Sequence, residues 1–371
     1  MNSLTLLDDN VIFGKNSLLK LKDIIKNKKY KKLLLITGKN SFVLNGAKDI
    51  FTCLENELRI IQFSYSGEAL PIDDVNNIYK KVKRISNIDL ILGIGGGTVL
   101  DIAKIISLLY SNKINNTNDI LGISNLRNNY DLILIPTTAG SGSETTNFAV
   151  VYKDRQKYSI VSENFNIKYT ILDSLLLKSL PINILKITIL DALSQSIESI
   201  WARKATKNSR KYAKAALEIL HENLFELKSF KNLDAFLLAS HLAGKAINIS
   251  KTTASHAISY PLTAQYGIPH GLAVYLTLPQ LAELNFSKMS GDHSAFKMIF
   301  KIFNVKTIDM LVLKMENVFT FFEFDRFLTN YHIEKSKILD LLISSINLER
   351  LNNNPVKLTH KDIKYVINKV Y

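Results

Sequence analysis

The chain has 371 residues, 47% of them hydrophobic and 22% charged, with a formal net charge of +14. That length suits two domains rather than one core, and the composition is ordinary for a soluble globular protein. No apolar run reaches the ~18 residues that span a bilayer, and a single cysteine, Cys53, excludes an internal disulfide or a thiolate metal cluster. Cys53 lies in no motif and reads as a small buried apolar residue.

The positive charge raises nucleic-acid binding as a function class. The lysines are scattered, however, and the densest run, Lys26, Lys28, Lys29, Lys31 and Lys32, reads as a solvated helix end. No nucleic-acid and no membrane partner is expected. The N-terminal segment has early acids and no basic region, so it does not read as a signal peptide. A cytoplasmic enzyme is the expectation.

In chain order, the first half alternates strand and helix patterns. KLLLIT (32–37), followed by Gly38, reads as a buried parallel strand. Residues 88–94 form a second such run ending in Gly95-Gly96-Gly97, and DLILI (131–135) a third ending in Pro136. Helical spacing marks 72–85 and 100–109. Strands separated by helices imply an open, mostly parallel α/β sheet. After about Pro181, apolar residues recur at three- and four-residue spacing over 189–200, 209–227, 233–247 and 308–320. The expected organisation is an α/β domain over 1–180 and an all-α domain over 181–371. The asparagine tract 352–354 reads as a loop.

Two loops follow strands. Gly95, Gly96, Gly97 and Thr98 precede a helix, and three glycines let the backbone approach a diphosphate while the helix offers unpaired N–H groups. The second, PTTAGSGSETT (136–146), carries hydroxyls at Thr137, Thr138, Ser141 and Ser143 that suit phosphate, ribose or nicotinamide. Both occupy strand ends, where α/β sheets bind ligands.

In the second half, Asp191 and Gln195 are four apart and share a helix face. His256 and His270 are separated by a turn marked by Gly267, Pro269 and Gly271, so they belong to different helices. One carboxylate and two imidazoles suit Fe²⁺ or Zn²⁺. The remaining histidines, His221, His241, His293, His332 and His360, read as structural.

Together GGGTVLDIAK (95–104), PTTAGSGSETT (136–146), DALSQSIES (191–199) and the His256…Ile268-Pro269-His270-Gly271 segment resemble the iron-containing (group III) alcohol dehydrogenase family. The resemblance implies that family's fold, shared broadly with dehydroquinate synthases, with 1–180 as an α/β dinucleotide-binding domain and 181–371 as a helical metal- and substrate-binding domain, an active site in the cleft between the two domains, and a homodimer. It implies cofactor contacts by Gly95, Gly96, Gly97, Thr98, Asp101, Lys104, Thr137, Thr138 and Ser141. It implies metal ligation by Asp191, His256 and His270, which are then also the catalytic set. Two positions depart from the family pattern. Gln195 stands where a histidine ligand is usual and offers only a carbonyl oxygen. Tyr260 stands where a further histidine is often found, and its hydroxyl suits a proton relay or its ring suits packing.

The expected cofactors are NADP(H) or NAD(H) and a divalent ion. Gly38 and Lys39 replace the acid that many family members carry after the first strand, which points towards NADPH. The implied reaction is reduction of a small aldehyde. DALSQSIESIWARKATKNS and KTTASHAISYPLTAQYGIPHG resemble the branch that converts phosphonoacetaldehyde to 2-hydroxyethylphosphonate, with Arg203, Lys204, Lys251, Thr252 and Thr253 available to an anionic group. The alternatives are a general short-chain alcohol dehydrogenase of the family, or a non-catalytic nucleotide-binding protein whose metal site has decayed.

Overall fold

The computed structural model describes residues 3–371 except 68, 124, 155, 230, 231 and 332. The chain divides into two compact units, Met1–Pro181 and Ile182–Tyr371.

In the first unit, strands β1 (Val11–Phe13), β2 (Lys32–Gly38), β3 (Arg59–Tyr65), β4 (Leu90–Gly95), β5 (Leu126–Arg127), β6 (Asp131–Pro136), β7 (Phe148–Lys153), β8 (Gln156–Asn164) and β9 (Ile167–Leu172) alternate with helices α1 (Leu21–Lys28), α2 (Ser41–Leu44), α3 (Ala47–Leu54), α4 (Ile72–Val82) and α5 (Gly97–Ser111). Six strands form one sheet in the order β1-β9-β6-β4-β2-β3, every pair parallel. Central strands β2, β4 and β6 are covered on both faces, which is why each is an unbroken apolar run. The edge strand β3 exposes Arg59, Gln62 and Ser64, so its sequence lacks that signature. From β2 the chain runs outward to β3 and then returns to β4 on the other side. The strand order therefore reverses between β2 and β4, and a crevice at the carboxyl ends of these two strands is where such sheets take ligands. Gly38 ends β2 and Gly95 ends β4. Strands β7 and β8 pair as an antiparallel hairpin in a separate sheet ordered β5-β8-β7.

The lysine run does lie at a helix end: Lys26, Lys28 and Lys29 are exposed at the C-terminus of α1. Cys53 corrects the expectation from sequence, being exposed rather than buried. Helix α3 buries Ala47, Phe51 and Leu54 on one stripe, and position 53 falls outside it.

The second unit is built from α6 (Ile182–Trp201), α7 (Lys207–Asn223), α8 (Leu233–Ser250), α9 (Ala254–Tyr266), α10 (His270–Lys288), α11 (Ser294–Phe303), α12 (Ile308–Phe322), α13 (Lys335–Ser345), α14 (Leu348–Asn352) and α15 (His360–Val370). Helix α6 is central, packing against α7, α8 and α10, and every residue from 189 to 201 is buried. A helix surrounded by protein should be apolar all round. This one instead carries Asp191, Ser194, Gln195, Ser196, Glu198 and Ser199 into the interior. Buried polar groups are costly unless they have partners. Serines 194 and 196 bond back to the carbonyls of Leu190 and Ala192, and Ser199 meets Ser250. Asp191, Gln195 and Glu198 lead to the site.

Candidate metal centre and cofactor loops

Asp191 projects from α6, His256 from the first turn of α9, and His270 is the first residue of α10. The two histidines thus lie on different helices, parted by Gly267, which ends α9 at φ 67°. One ligand atom from each of Asp191, His256 and His270 lies within 4.8 Å of the others. Close helix contact makes this convergence possible. A Cβ on Gly271 would stand 2.0 Å from the Ile187 carbonyl oxygen and 3.1 Å from Asp191 Cβ, so glycine there lets α10 touch α6 beside His270.

His256 is gripped from behind. Its Nδ1 pairs with Glu198 Oε2. The other Glu198 oxygen accepts from Thr253 Oγ1 at 2.7 Å, Ser255 N at 3.0 Å and His256 N at 3.4 Å, and Trp201 Nε1 donates to Thr253 Oγ1 at 3.1 Å. A fully buried glutamate from α6 therefore caps the N-terminus of α9 and fixes the ring of its histidine. With Nδ1–H committed to Glu198, Nε2 is turned towards Asp191 Oδ1, 3.3 Å away.

Among the described residues Asp191 Oδ1 and Gln195 Oε1 are buried without a well-directed hydrogen-bond partner. Without a bound ion, a proton on Nε2 answers the carboxylate, and a divalent ion would take that proton's place. Tetrahedral ligands with bonds of ~2.1 Å stand about 3.4 Å apart, close to the 3.3 Å between His256 Nε2 and Asp191 Oδ1. The donor set thus fits a divalent ion held by Asp191, His256 and His270. Electrostatics agree. Burial alone would raise the Asp191 pKa, yet His256, His270 and Gln195 hold it below the usual carboxylate range. Burial likewise works against Glu198 ionisation, and His256 reverses it. For His256 burial lowers the pKa, but the charge of Glu198 and contacts with Asp191 and Glu198 raise it to about 10. The pocket is built to hold positive charge.

Gln195 lies one turn from Asp191 on α6, buried beside that carboxylate. The Tyr260 ring stacks on His270 at 5.8 Å and 21°. Ser259 Oγ lies 3.5 Å from His270 Nδ1. The other histidines stand apart: His221 packs on Phe303 and His293 on Phe286, His241 is buried in α8, and His360 opens α15. His332 lies outside the described residues. Glu198 was missed from sequence: it shares a buried helix with Asp191 and Gln195, but only the packing of α9 on α6 sets it behind His256.

In the first unit the two loops meet. Thr137 N donates to the Gly95 carbonyl at 2.9 Å, and a Cβ on Gly97 would stand 2.5 Å from Ser141 Oγ. Glycine at 97 therefore lets the loops touch. Gly96 precedes α5 as its N-cap, and Thr137 Oγ1 is buried without a hydrogen-bond partner among the described residues. Asp101 and Lys104 turn to the protein itself. Asp101 accepts from Ser143 Oγ and from Val150 N. Lys104, fully buried, donates to Ser143 Oγ, Thr146 Oγ1 and the Phe148 carbonyl at 3.1, 2.9 and 2.9 Å. Together they pin the second loop onto α5. Lys39 is exposed directly after β2.

Comparison with known proteins agrees with both halves. Residues 9–174 match the iron-containing alcohol dehydrogenase family, and 186–371 match the C-terminal domain of the Fe-containing alcohol dehydrogenase family. The chain belongs to the iron-containing alcohol dehydrogenases, a family of NAD(P)-dependent oxidoreductases that work with a divalent metal. The 4-hydroxybutyrate dehydrogenase of Clostridium kluyveri is 31% identical over 60% of this chain and 62% of its own length. The phosphonoacetaldehyde reductase of Streptomyces viridochromogenes is 31% identical over 62% of this chain and 60% of its own. These matches thus span about three fifths of either relative. The crystal structure of sulfoacetaldehyde reductase from Bifidobacterium kashiwanohense in complex with NAD+ superposes with a TM-score of 0.88 at 26% identity, covering 97% of this chain and 96% of that one.

Proposed function

We propose that this chain reduces a small aldehyde with NAD(P)H, using a divalent ion held by Asp191, His256 and His270, and that an acetaldehyde bearing a phosphonate or sulfonate is its leading substrate. The observation that carries the reading is the convergence of these three side chains from three helices, with a buried oxygen of Asp191 left without a well-directed partner. When bound, the ion supplies charge that polarises a carbonyl, and the dinucleotide supplies the hydride. The protein's part is placement. Asp191 contributes the negative charge that holds a cation. Glu198 holds His256 in the tautomer whose Nε2 faces the site. Gln195 offers a carbonyl oxygen as a weak fourth donor, and Tyr260 orients His270 by stacking, its hydroxyl being available to pass a proton. Gly95, Gly96, Gly97 and Thr98 offer backbone N–H groups to the diphosphate, with Thr137, Thr138 and Ser141 beside them. Asp101 and Lys104 serve the cofactor indirectly, by fixing the loop that carries Ser141 and Ser143.

Gly38 and Lys39 at the end of β2 support NADPH as the preferred cofactor, since a cation there welcomes a 2′-phosphate and an acid would repel it. A cytoplasmic homodimer is the proposed setting. No helix among the described residues is long and apolar enough to cross a membrane. The test is NAD(P)H oxidation over neutral and anionic short aldehydes, with Fe²⁺, Zn²⁺ or chelator added. Metal-stimulated, stoichiometric oxidation is expected. Nucleotide binding without turnover would favour the decayed scaffold, and transient rather than net cofactor use would favour dehydroquinate-synthase chemistry.

A further inference from the structure

Asn353 ties three segments of the helical unit together. Its carbonyl oxygen and Oδ1 accept from Arg203 N and Lys204 N at 2.9 and 3.0 Å. Its Nδ2 donates to the Ser250 and Thr252 carbonyls at 2.8 and 2.9 Å. Asn353 and Asn354 are buried, so two of the three asparagines of the tract lie in the interior although its composition reads as a loop. The two carbonyls it holds flank Lys251, whose backbone sits at φ 59°, ψ 173°. This region is essentially reserved for glycine. A lysine kept where glycine would fit better points to a use for its side chain.

The same hub gathers charge. Arg350, buried on α14, makes a single side-chain hydrogen bond among the described residues, from NH1 to neighbouring Glu349 at 3.2 Å. Lys204 Nζ reaches the same carboxylate oxygen at 3.8 Å. Lys251 is half-buried, its Nζ donates to the Asn248 carbonyl at 3.1 Å, and it lies within the electrostatic reach of Arg350, Lys204 and Glu349. Burial first, then Arg350 and Lys204, push it down to about 8, with Glu349 opposing. Two cations thus share one carboxylate with a third in its field, and most of the five N–H donors of Arg350 remain available to a planar or tetrahedral oxyanion. The loop continues through Thr252 to Thr253, which donates to Glu198 behind His256. Thr253 is spent on that bond, and Arg203 is exposed, so neither belongs to the cluster.

We infer that Lys251, Arg350 and Lys204 form the binding site for a tetrahedral oxyanion, and that it selects aldehydes carrying a phosphonate or sulfonate tail. The selection rests on the aldehyde-reductase reading; the anion site itself does not.

The test uses metal-loaded wild type, Lys251→Gly and Arg350→Gln. Methylphosphonate binding is followed by calorimetry, melting temperature is recorded, and kcat/KM is measured for sulfoacetaldehyde, phosphonoacetaldehyde and butanal. Lys251→Gly relieves backbone strain, so its melting temperature is expected to hold or rise. Both variants are expected to lose about 10- to 100-fold in methylphosphonate affinity and in the anionic-to-neutral specificity ratio. Loss of the specificity ratio for both anionic aldehydes assigns the tail of the substrate, whereas loss of methylphosphonate binding with an unchanged ratio assigns a free anion and overturns the selection. Wild type that fails to bind methylphosphonate, or variants that bind it as wild type does, overturn the site. If no aldehyde is reduced, the enzymatic reading fails while calorimetry still decides the site.

Discussion

Each unit buries a charged cluster, and the two differ in what they leave unfinished. In the first, Asp101 and Lys104 lie 3.6 Å apart, and Ser143, Thr146, Phe148 and Val150 satisfy them. In the second, Asp191, His256 and His270 converge, yet Asp191 Oδ1 and nearby Gln195 Oε1 find no well-directed hydrogen-bond donor among the described residues. Burial of charge therefore does not by itself mark chemistry. A closed cluster organises a loop, whereas an open one is waiting for a cation.

The contrast breaks most sharply under alanine. His256→Ala or His270→Ala is expected to cut aldehyde turnover by at least about 1,000-fold, the loss of several kcal/mol of charge stabilisation; His270→Ala should change the urea midpoint little, whereas His256→Ala also lowers it by leaving Glu198 buried without its partner. Next comes the closed cluster. Asp101→Asn leaves Lys104 buried without its counter-charge, and is expected to cost about 3–5 kcal/mol of stability in urea unfolding, while metal affinity stays at the wild-type value. If Asp101→Asn instead spared stability and abolished metal binding, the distinction between the clusters would be wrong.

Glu198→Gln sharpens the open cluster. The amide keeps the shape and loses the charge that orients His256, so metal affinity is expected to fall about 10- to 100-fold, measured by Co²⁺ titration. An unchanged affinity would reduce Glu198 to a helix cap. The smallest effect is on pH. Lys251 is charged below about pH 8 and neutral above it, in a setting formed by Arg350, Lys204 and Glu349. KM for sulfoacetaldehyde, whose tail keeps its charge throughout, is therefore expected to be steady below pH 8 and to rise severalfold above it. The bound anion moves the midpoint upward. KM for butanal should lack this rise.

The central strands were legible because a strand covered on both faces must be apolar along its length, as β2, β4 and β6 are. Strand β3 escaped notice because one edge faces water. The hairpin β7–β8 did as well, since β7 alternates buried with half-buried residues that are themselves apolar or aromatic, and no tight turn signal joins the two strands. The glycine loop could be read because a backbone-made site is contiguous in sequence. Asp191, His256 and His270 could be read through motif resemblance, but the spacing alone did not reveal Glu198 behind His256 or Gly271 letting α10 against α6. Such contacts depend on tertiary packing. Asn353 shows the same limit: its neighbours suggest a polar loop, and only the fold makes it an interior hub.

The most direct measurement is a Co²⁺ titration of chelator-stripped protein, followed by the d–d absorption of the ion and by NAD(P)H oxidation in the same samples. One ion per chain is expected, with turnover returning in step with occupancy, and neither is expected in His256→Ala/His270→Ala. Full turnover in the stripped protein, or one tightly bound ion in the double variant, would contradict the account.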